Sequence, residues 1–259
     1  MADEKNVFIY FVGTAGSGKS SLTAAFQQWM TLKGLDTVAV NLDPGAEELG
    51  YVADFDIREW ISLPKVMKDY NLGPNGAQIA AADMLAFKAK ELAGILDTFE
   101  TNYFLMDTPG QLELFSFRKS STLLLETLGS GRAFLAFAID PLVAKAPEGL
   151  LSQLMLKTTV QFRFMVPTVG VLTKVDLLSK DEQEAIAKWA SDPEALNAVL
   201  HDSEAKAGTQ INLEWLRAME SVGAFSDLIL TSSTDMFGME DIHNQVQNYY
   251  FGGEDLMPD

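Results

Sequence analysis

Gly13-Thr14-Ala15-Gly16-Ser17-Gly18-Lys19-Ser20 is the stretch that decides the fold. Two glycines separated by four residues, then lysine and a hydroxyl residue, make the phosphate-loop pattern. Gly13, Gly16 and Gly18 let the backbone curl tightly around an anion, so that successive N–H groups converge on it. A helix opening near Lys19 points its positive end at the same place. Lys19 is expected to bridge the outer phosphates of a nucleotide, and the Ser20 hydroxyl to ligate Mg2+. Thr14, Ala15, Ser17 and Ser21 complete the cradle. The flanks agree, because residues 7–12 form an unbroken apolar run of strand type and residues 21–32 have helical periodicity. Strand, glycine loop and helix in that order predict a nucleotide site.

Outward from the loop, strands and helices alternate. The first helix closes at Lys33-Gly34, where a cation suits the negative helix end and glycine suits the cap. Residues 37–42 read as a second strand that delivers Asp43-Pro44-Gly45 to its C-terminal end, the edge where ligands sit in open parallel sheets. Residues 46–60 are acidic and irregular. A short helix is expected over 64–70, since proline suits a first turn. Residues 72–77 interrupt, and a long helix rich in alanine and leucine is expected over 77–99. Further strands are expected at 102–106, 133–139, 167–172 and 228–230, with helices over 117–128 and 150–162 and a last one ending near Tyr250. Residues 179–222 show helical periodicity at 181–190, 193–200 and 213–221 but no strand, and read as a helical insertion packed on the sheet. Residues 252–259 read as a frayed tail. The expected fold is α/β: one domain over residues 1–259, built on a doubly wound, mostly parallel sheet.

Composition bounds the function. An apolar content of 47 % over 259 residues is ample for a sizeable core. A net charge of −17 argues against non-specific contact with nucleic acid or an acidic membrane surface. The absence of cysteine excludes disulfides, thiolate metal sites and cysteine catalysis, and fits a reducing cytoplasm. The mixed charges of Met1–Lys5 and the loop that ends the first apolar run do not make a signal peptide. No run approaches the ~20 apolar residues of a membrane span.

Three more motifs follow strands, so each is expected at the phosphate-loop edge. In Asp107-Thr108-Pro109-Gly110-Gln111, Asp107 is expected to hold Mg2+ through water, the Gly110 N–H to sense a terminal phosphate, and Gln111 to orient an attacking water. In Thr173-Lys174-Val175-Asp176, the Asp176 carboxylate can accept two parallel hydrogen bonds from the ring N–H and amine of guanine, a donor pair that adenine lacks. The Lys174 stem is expected to lie along the base. Thr173 stands where an amide often does, at a loss of ~1 kcal/mol. Ser232-Ser233 is expected to cap the base carbonyl through backbone N–H groups, with a helix-start cap as the competing role. Asp43 lies within reach of the metal or the hydrolytic water, or simply starts an Asp-Pro-Gly turn. His201 and His243 read as surface or satisfied histidines, and the Glu47-Glu48 and 182–184 charges as solvated faces.

With these residues in hand, the chain resembles the GPN-loop GTPases of the SIMIBI class of P-loop NTPases, over about residues 6–250. Gly73-Pro74-Asn75 is the most specific match. Asn41-Leu-Asp-Pro44, Asp56-Ile-Arg58, Asp107–Gln111 with Glu113, and Thr173–Asp176 accompany it. Thr14 is not the signature lysine of the partition and septum-site ATPases of that class. The resemblance implies an archaeal-type homodimer in which each Gly-Pro-Asn loop faces the partner's phosphate site, a site that takes GTP or GDP with Mg2+. Asp43, Gln111 and Glu113 are then expected to position water and Asp43 also to reach the metal, with Asn75 acting across the dimer. It further implies a link to RNA polymerase assembly. Two other classes stay open: an ATPase of the same fold, and an assembly scaffold that keeps its nucleotide.

Overall fold

A computed structural model describes residues 6–116, 118–202 and 213–252. The first strand, β1 (Val7–Gly13), is buried throughout. Its alternate side chains serve two different cores. Val7, Ile9 and Phe11 join Leu22, Phe26 and Met30 on one face of the sheet, while Phe8, Tyr10 and Val12 join the larger cluster on the other. A strand covered on both faces reads as a continuous apolar run, which is why residues 7–12 were legible.

Helix α1 (Lys19–Leu32) returns to β2 (Thr37–Asn41), and a two-residue strand, β3 (Phe55–Asp56), follows. Next come α2 (Leu63–Tyr70), α3 (Pro74–Phe87), α4 (Ala89–Leu96) and β4 (Tyr103–Asp107). Then α5 (Leu112–Ser116) and α6 (Lys119–Leu128) lead to β5 (Ala133–Ile139), α7 (Pro141–Ala144), α8 (Pro147–Phe164) and β6 (Thr168–Leu172). The chain continues through α9 (Lys180–Ser191), α10 (Pro193–Asp202), α11 (Leu213–Ser221), β7 (Leu228–Leu230) and α12 (Met239–Tyr250). Every strand pairing is parallel, in the order β3-β2-β4-β1-β5-β6-β7. The chain leaves β1 toward β2 on one side and reaches β5 on the other. The loop after β1 therefore lies at the switch point, where ligands bind in open sheets. Register levels the strand ends: Asp107 pairs with Phe11 and with Asn41, and Gly13 pairs with Ala138.

Several expectations are corrected. β3 was not anticipated, since two edge residues carry no periodicity. The long helix over 77–99 is two helices that meet at Lys88, whose ammonium lies 5.3 Å from the Trp60 ring centre. Helix α3 opens at Pro74, with Gly73 as its cap, rather than at Ala77. Asn75 thus sits in a first helical turn. The helix expected over 117–128 begins at Lys119 and is preceded by α5, and Phe117 lies outside the described residues. The helix expected from 150 begins at Pro147. Glu182 is more than a solvated charge, because it closes a capping box with Ser179 and pairs with Lys145 at 3.1 Å. His243, by contrast, is a satisfied histidine as expected, buried against the Tyr103 hydroxyl and Gln247. Ile186, Leu196 and Leu216 of α9–α11 join the same apolar cluster as β5 and α8. The expectations for 1–5, 203–212 and 253–259 lie outside the described residues.

One buried cation weakens the fold. Lys157 on α8 is 1 % exposed, and its Nζ donates to Ser226 Oγ at 2.8 Å. Burial pushes its ammonium down from 10.5 to about 8. Below pH 8 folding must bury the charge, at a cost on the order of 3 kcal/mol. Between pH 8 and 10.5 the unfolded chain holds more protons, so stability rises with pH, and above 10.5 the penalty is gone. Lys157→Met keeps the stem and removes the charge, at about 1 kcal/mol for the lost Ser226 bond. We expect Lys157→Met to melt roughly 3–6 °C higher than wild type at pH 7. The gain should shrink by pH 10.5. Melting curves at the two pH values check both the gain and its loss.

Candidate functional site

The phosphate loop has the geometry its glycines suggest. Gly16 and Gly18 have φ of +80° and +91°, a region that penalises any side chain. At Gly13 the constraint is space, since a Cβ would lie 2.6 Å from the Ala138 carbonyl oxygen of β5. Gly18 is also crowded: a Cβ there would meet the Lys174 side chain at 3.2 Å. Lys19 and Ser20 fall in the first turn of α1, which opens at Lys19 as expected. The Lys19 Nζ is buried and donates to the carbonyls of Gly13 (3.1 Å), Thr14 (3.0 Å) and Gly110 (3.3 Å). Burial lowers the pKa of this ammonium, while Asp107 and Asp43 raise it. Ala15 and Gly16 are open to solvent, and Ser17 is buried within the loop.

Asp107 is 1 % exposed at the end of β4. Burial pushes its carboxyl up to about 6, against the downward pull of Ser20, Tyr51 and Lys19. Its Oδ2 accepts from the Tyr51 hydroxyl at 3.0 Å, and its Oδ1 has no hydrogen-bond partner among the described residues. A buried anionic oxygen without a donor, next to a serine hydroxyl, suits a hard cation such as Mg2+. Tyr51 was not anticipated. It lies in the irregular 46–60 stretch, where no pattern separates a site tyrosine from a packing one. Burial and the Asp107 charge hold its phenol well above the usual range, so it serves as a donor.

Asp43 is close enough to both Lys19 and Asp107 to raise the pKa of each. Its Oδ2 accepts from the Gly110 N–H at 2.9 Å and its Oδ1 from the Gly45 N–H at 2.8 Å. The motifs around it brace that position. Buried Asn41 accepts from the Asp43 N–H and donates to the Asp43 carbonyl and to Asp56. Arg58 bonds both Asp56 oxygens and reaches the carbonyls of Ala46 (2.9 Å) and Glu47 (3.0 Å). Asn41, Asp56 and Arg58 therefore fix the Asp43 turn. The Gln111 amide donates to Gln78 Oε1 of α3 at 2.7 Å, which ties the Asp107–Gln111 loop to the helix that begins at Gly73-Pro74. Gln78 is another contributor that the sequence reading missed. Glu113 is exposed in the first turn of α5, with no hydrogen bond to these groups.

On the far side of the loop, Thr173 turns inward. Its hydroxyl donates to the carbonyls of Ser17 (2.6 Å) and Ile139 (3.1 Å), so it fastens the phosphate loop instead of meeting a base. Lys174, at φ +50°, crosses Gly18 to donate to the Gly16 carbonyl and lies 3.9 Å from the Asp140 carboxylate. Asp176 is exposed at the rim, without a hydrogen-bond partner among the described residues. The expectation for Ser232 is corrected, because its N–H already donates to the Phe237 carbonyl at 3.1 Å. Ser233 remains, and it shares the wall of an open cavity of about 560 Å3 with Ser21, Ala24 and Tyr51.

A parallel sheet that gathers a phosphate loop, a buried metal-type aspartate and an exposed lysine–aspartate base motif at one edge is a P-loop NTPase of the GTP-binding type. Comparison with known proteins sharpens this. A family model described as a conserved hypothetical ATP binding protein matches residues 11–251. The chain is 31 % identical over 252 residues to a GPN-loop GTPase of Pyrococcus abyssi, covering 96 % of this chain and all of that one. It is 28 % identical over 257 residues to GPN-loop GTPase 1 of Schizosaccharomyces pombe, covering 95 % of this chain and 69 % of the relative. A crystal structure of a GTPase in apo form from Pyrococcus abyssi superposes with a TM-score of 0.79 at 30 % identity, over 94 % of this chain and 97 % of that one. The chain belongs to the GPN-loop GTPase family.

Proposed function

We propose that the protein is a Mg2+-dependent GTPase that works as a homodimer, each Asn75 completing the partner's site. The observation that carries it is the convergence of Lys19, Asp107, Asp43 and the Gly110 N–H at one sheet edge, with the guanine-reading pair Lys174 and Asp176 alongside. Ser20 and Asp107 would hold Mg2+, which supplies charge neutralisation at the outer phosphates. Lys19 and Gly110 bind and orient the terminal phosphate, and Gln111 and Asp43 position water. Chemistry at such a site is positioning plus electrostatics.

The dimer has support in α3. The helix starts at Gly73-Pro74-Asn75 with all three exposed, and it leaves Ile79 at 43 % and Phe87 at 88 % exposure. Apolar residues so placed suit a helix that meets a second copy. A role in assembling a larger complex such as RNA polymerase, in the cytoplasm, rests on the family resemblance. A net charge of −17 favours a protein client over nucleic acid. Among the described residues no helix is long and apolar enough to cross a membrane. The second reading, an ATPase, has the description of the matched family behind it. Asp176 stands against it.

Mixing subunits tests the dimer reading. Asn75→Ala should lower GTP turnover by about tenfold, or ~1.4 kcal/mol. Adding excess Lys19→Ala subunits should partly restore it, because a mixed dimer pairs an intact phosphate site with an intact Asn75 from the other chain. No recovery despite demonstrated subunit exchange would show that Asn75 serves its own subunit.

A further inference from the structure

The Asp43 carboxylate occupies an anion site. Its Oδ2 lies 2.9 Å from the Gly110 nitrogen, and the carbonyl of that same glycine lies 3.3 Å from Lys19 Nζ. Asp43 is also close enough to that ammonium to raise its pKa. A backbone N–H and a lysine ammonium are the two groups that a terminal phosphate would use here. Asp43 does not rest there loosely: Gly45 supplies a second N–H to Oδ1, and Asn41 clamps the Asp43 backbone on both its N–H and its carbonyl.

We propose that Asp43 is a specificity-determining residue for the terminal phosphate, its carboxylate competing with the γ-phosphate of GTP for the Gly110 N–H. The inference rests on reading this edge as a guanine-nucleotide site. GTP must displace the carboxylate, whereas GDP, with no third phosphate, leaves it in place. Asp43 thus lowers affinity for GTP relative to GDP. Once displaced, the carboxylate is still tethered at the edge of the site, where it is free to meet water.

The sign of the effect makes this testable. A metal- or water-bound carboxylate would help GTP, so its removal would weaken GTP binding relative to GDP. Competition demands the opposite. In the full-length protein with Mg2+, affinities for GDP and for a β,γ-imido analogue of GTP should be measured for wild type, Asp43→Ala and Asp43→Asn. Asp43→Ala should shift the ratio toward the GTP analogue by about tenfold or more, the worth of a charge-assisted hydrogen bond. Asp43→Asn retains an uncharged acceptor and should fall between. An unmoved ratio, or a shift toward GDP, overturns the proposal while leaving the site reading intact. Wild-type protein that binds neither nucleotide overturns both. Amide hydrogen exchange at Gly110, followed without nucleotide, gives a second measure that does not depend on affinity. It should be slow in wild type and faster in Asp43→Ala, and equal rates would show that there is no bond to compete for.

Discussion

Asp176→Asn is expected to weaken GTP binding by roughly 30- to 1,000-fold, the loss of a charge-assisted bidentate contact at about 2–4 kcal/mol. The same variant should bind xanthosine triphosphate better than wild type does, because xanthine presents a carbonyl where guanine presents an amine, and the new amide can donate to it. The structure makes the experiment clean. Asp176 is exposed and has no hydrogen-bond partner among the described residues, so its replacement should leave the fold unchanged. Lys174 is held by the Gly16 carbonyl and Asp140, not by Asp176, so the rest of the base edge stays in place. Titrating fluorescent GTP, ATP and XTP against both proteins separates the two nucleotide readings. Equal affinity of the wild type for ATP and GTP would remove guanine selection and return the protein to the ATPase class.

Most of the fold was legible because its strands are buried on both faces. Residues 7–12 and 133–139 are continuous apolar runs and 167–172 is broken only by Thr168 and Gly170, while the strands at 7–12 and 167–172 run straight into the phosphate loop and the Thr173–Asp176 motif. β3 was not legible. Two residues at the sheet edge, one of them an aspartate, are held in part by the Ala39 backbone at the level of Asp54, a contact that is distant in sequence. The break at Lys88 was equally hidden, since no glycine or proline marks it and, besides Glu91 three residues on, Lys88 meets Trp60, far back in the chain. The start of α3 was readable. Pro74 is a first-turn proline like the Pro64 that places α2, but glycines on both sides of Pro74-Asn75 suggest a loop instead.

The site divides the same way. Backbone-driven parts, such as the phosphate loop and the sheet-end aspartates, follow from local chemistry. Tyr51 and Gln78 do not, because each meets a group more than thirty positions away, Asp107 and Gln111 respectively. Thr173 and Ser232 show the converse. Each stands in a recognisable motif, yet the Thr173 hydroxyl and the Ser232 N–H are already bonded to backbone carbonyls. A motif fixes where a residue sits. Only the surrounding packing decides which of its donors stay free.

Lys19→Ala is expected to lose GTP affinity by about 100-fold or more, since two charge-assisted bonds to phosphate oxygens are worth about 3–5 kcal/mol together. The position supports so large an effect. Lys19 is 5 % exposed, and its ammonium already lies among the carbonyls of Gly13, Thr14 and Gly110. The cation is therefore held in place before any phosphate arrives, and little side-chain entropy remains to be lost on binding. Its other neighbours are the carboxylates of Asp107 and Asp43. Without the ammonium, an incoming triphosphate would meet two anions and three carbonyl oxygens, with only backbone N–H groups and the Mg2+ that Ser20 and Asp107 would hold to offset them. Lys19→Arg should not rescue binding, because a planar guanidinium is too broad for a space that fits a point charge against three oxygens. Binding should be read twice, by direct titration and by the rise in melting temperature that GTP confers through linkage. Wild type should show both signals. Lys19→Ala should melt within a few degrees of wild type without nucleotide, and gain nothing when GTP is added at a concentration that saturates the wild type. Normal affinity in Lys19→Ala would mean that the ammonium serves only to tie the loop carbonyls together, and that the phosphates are held by backbone N–H groups and Mg2+ without it.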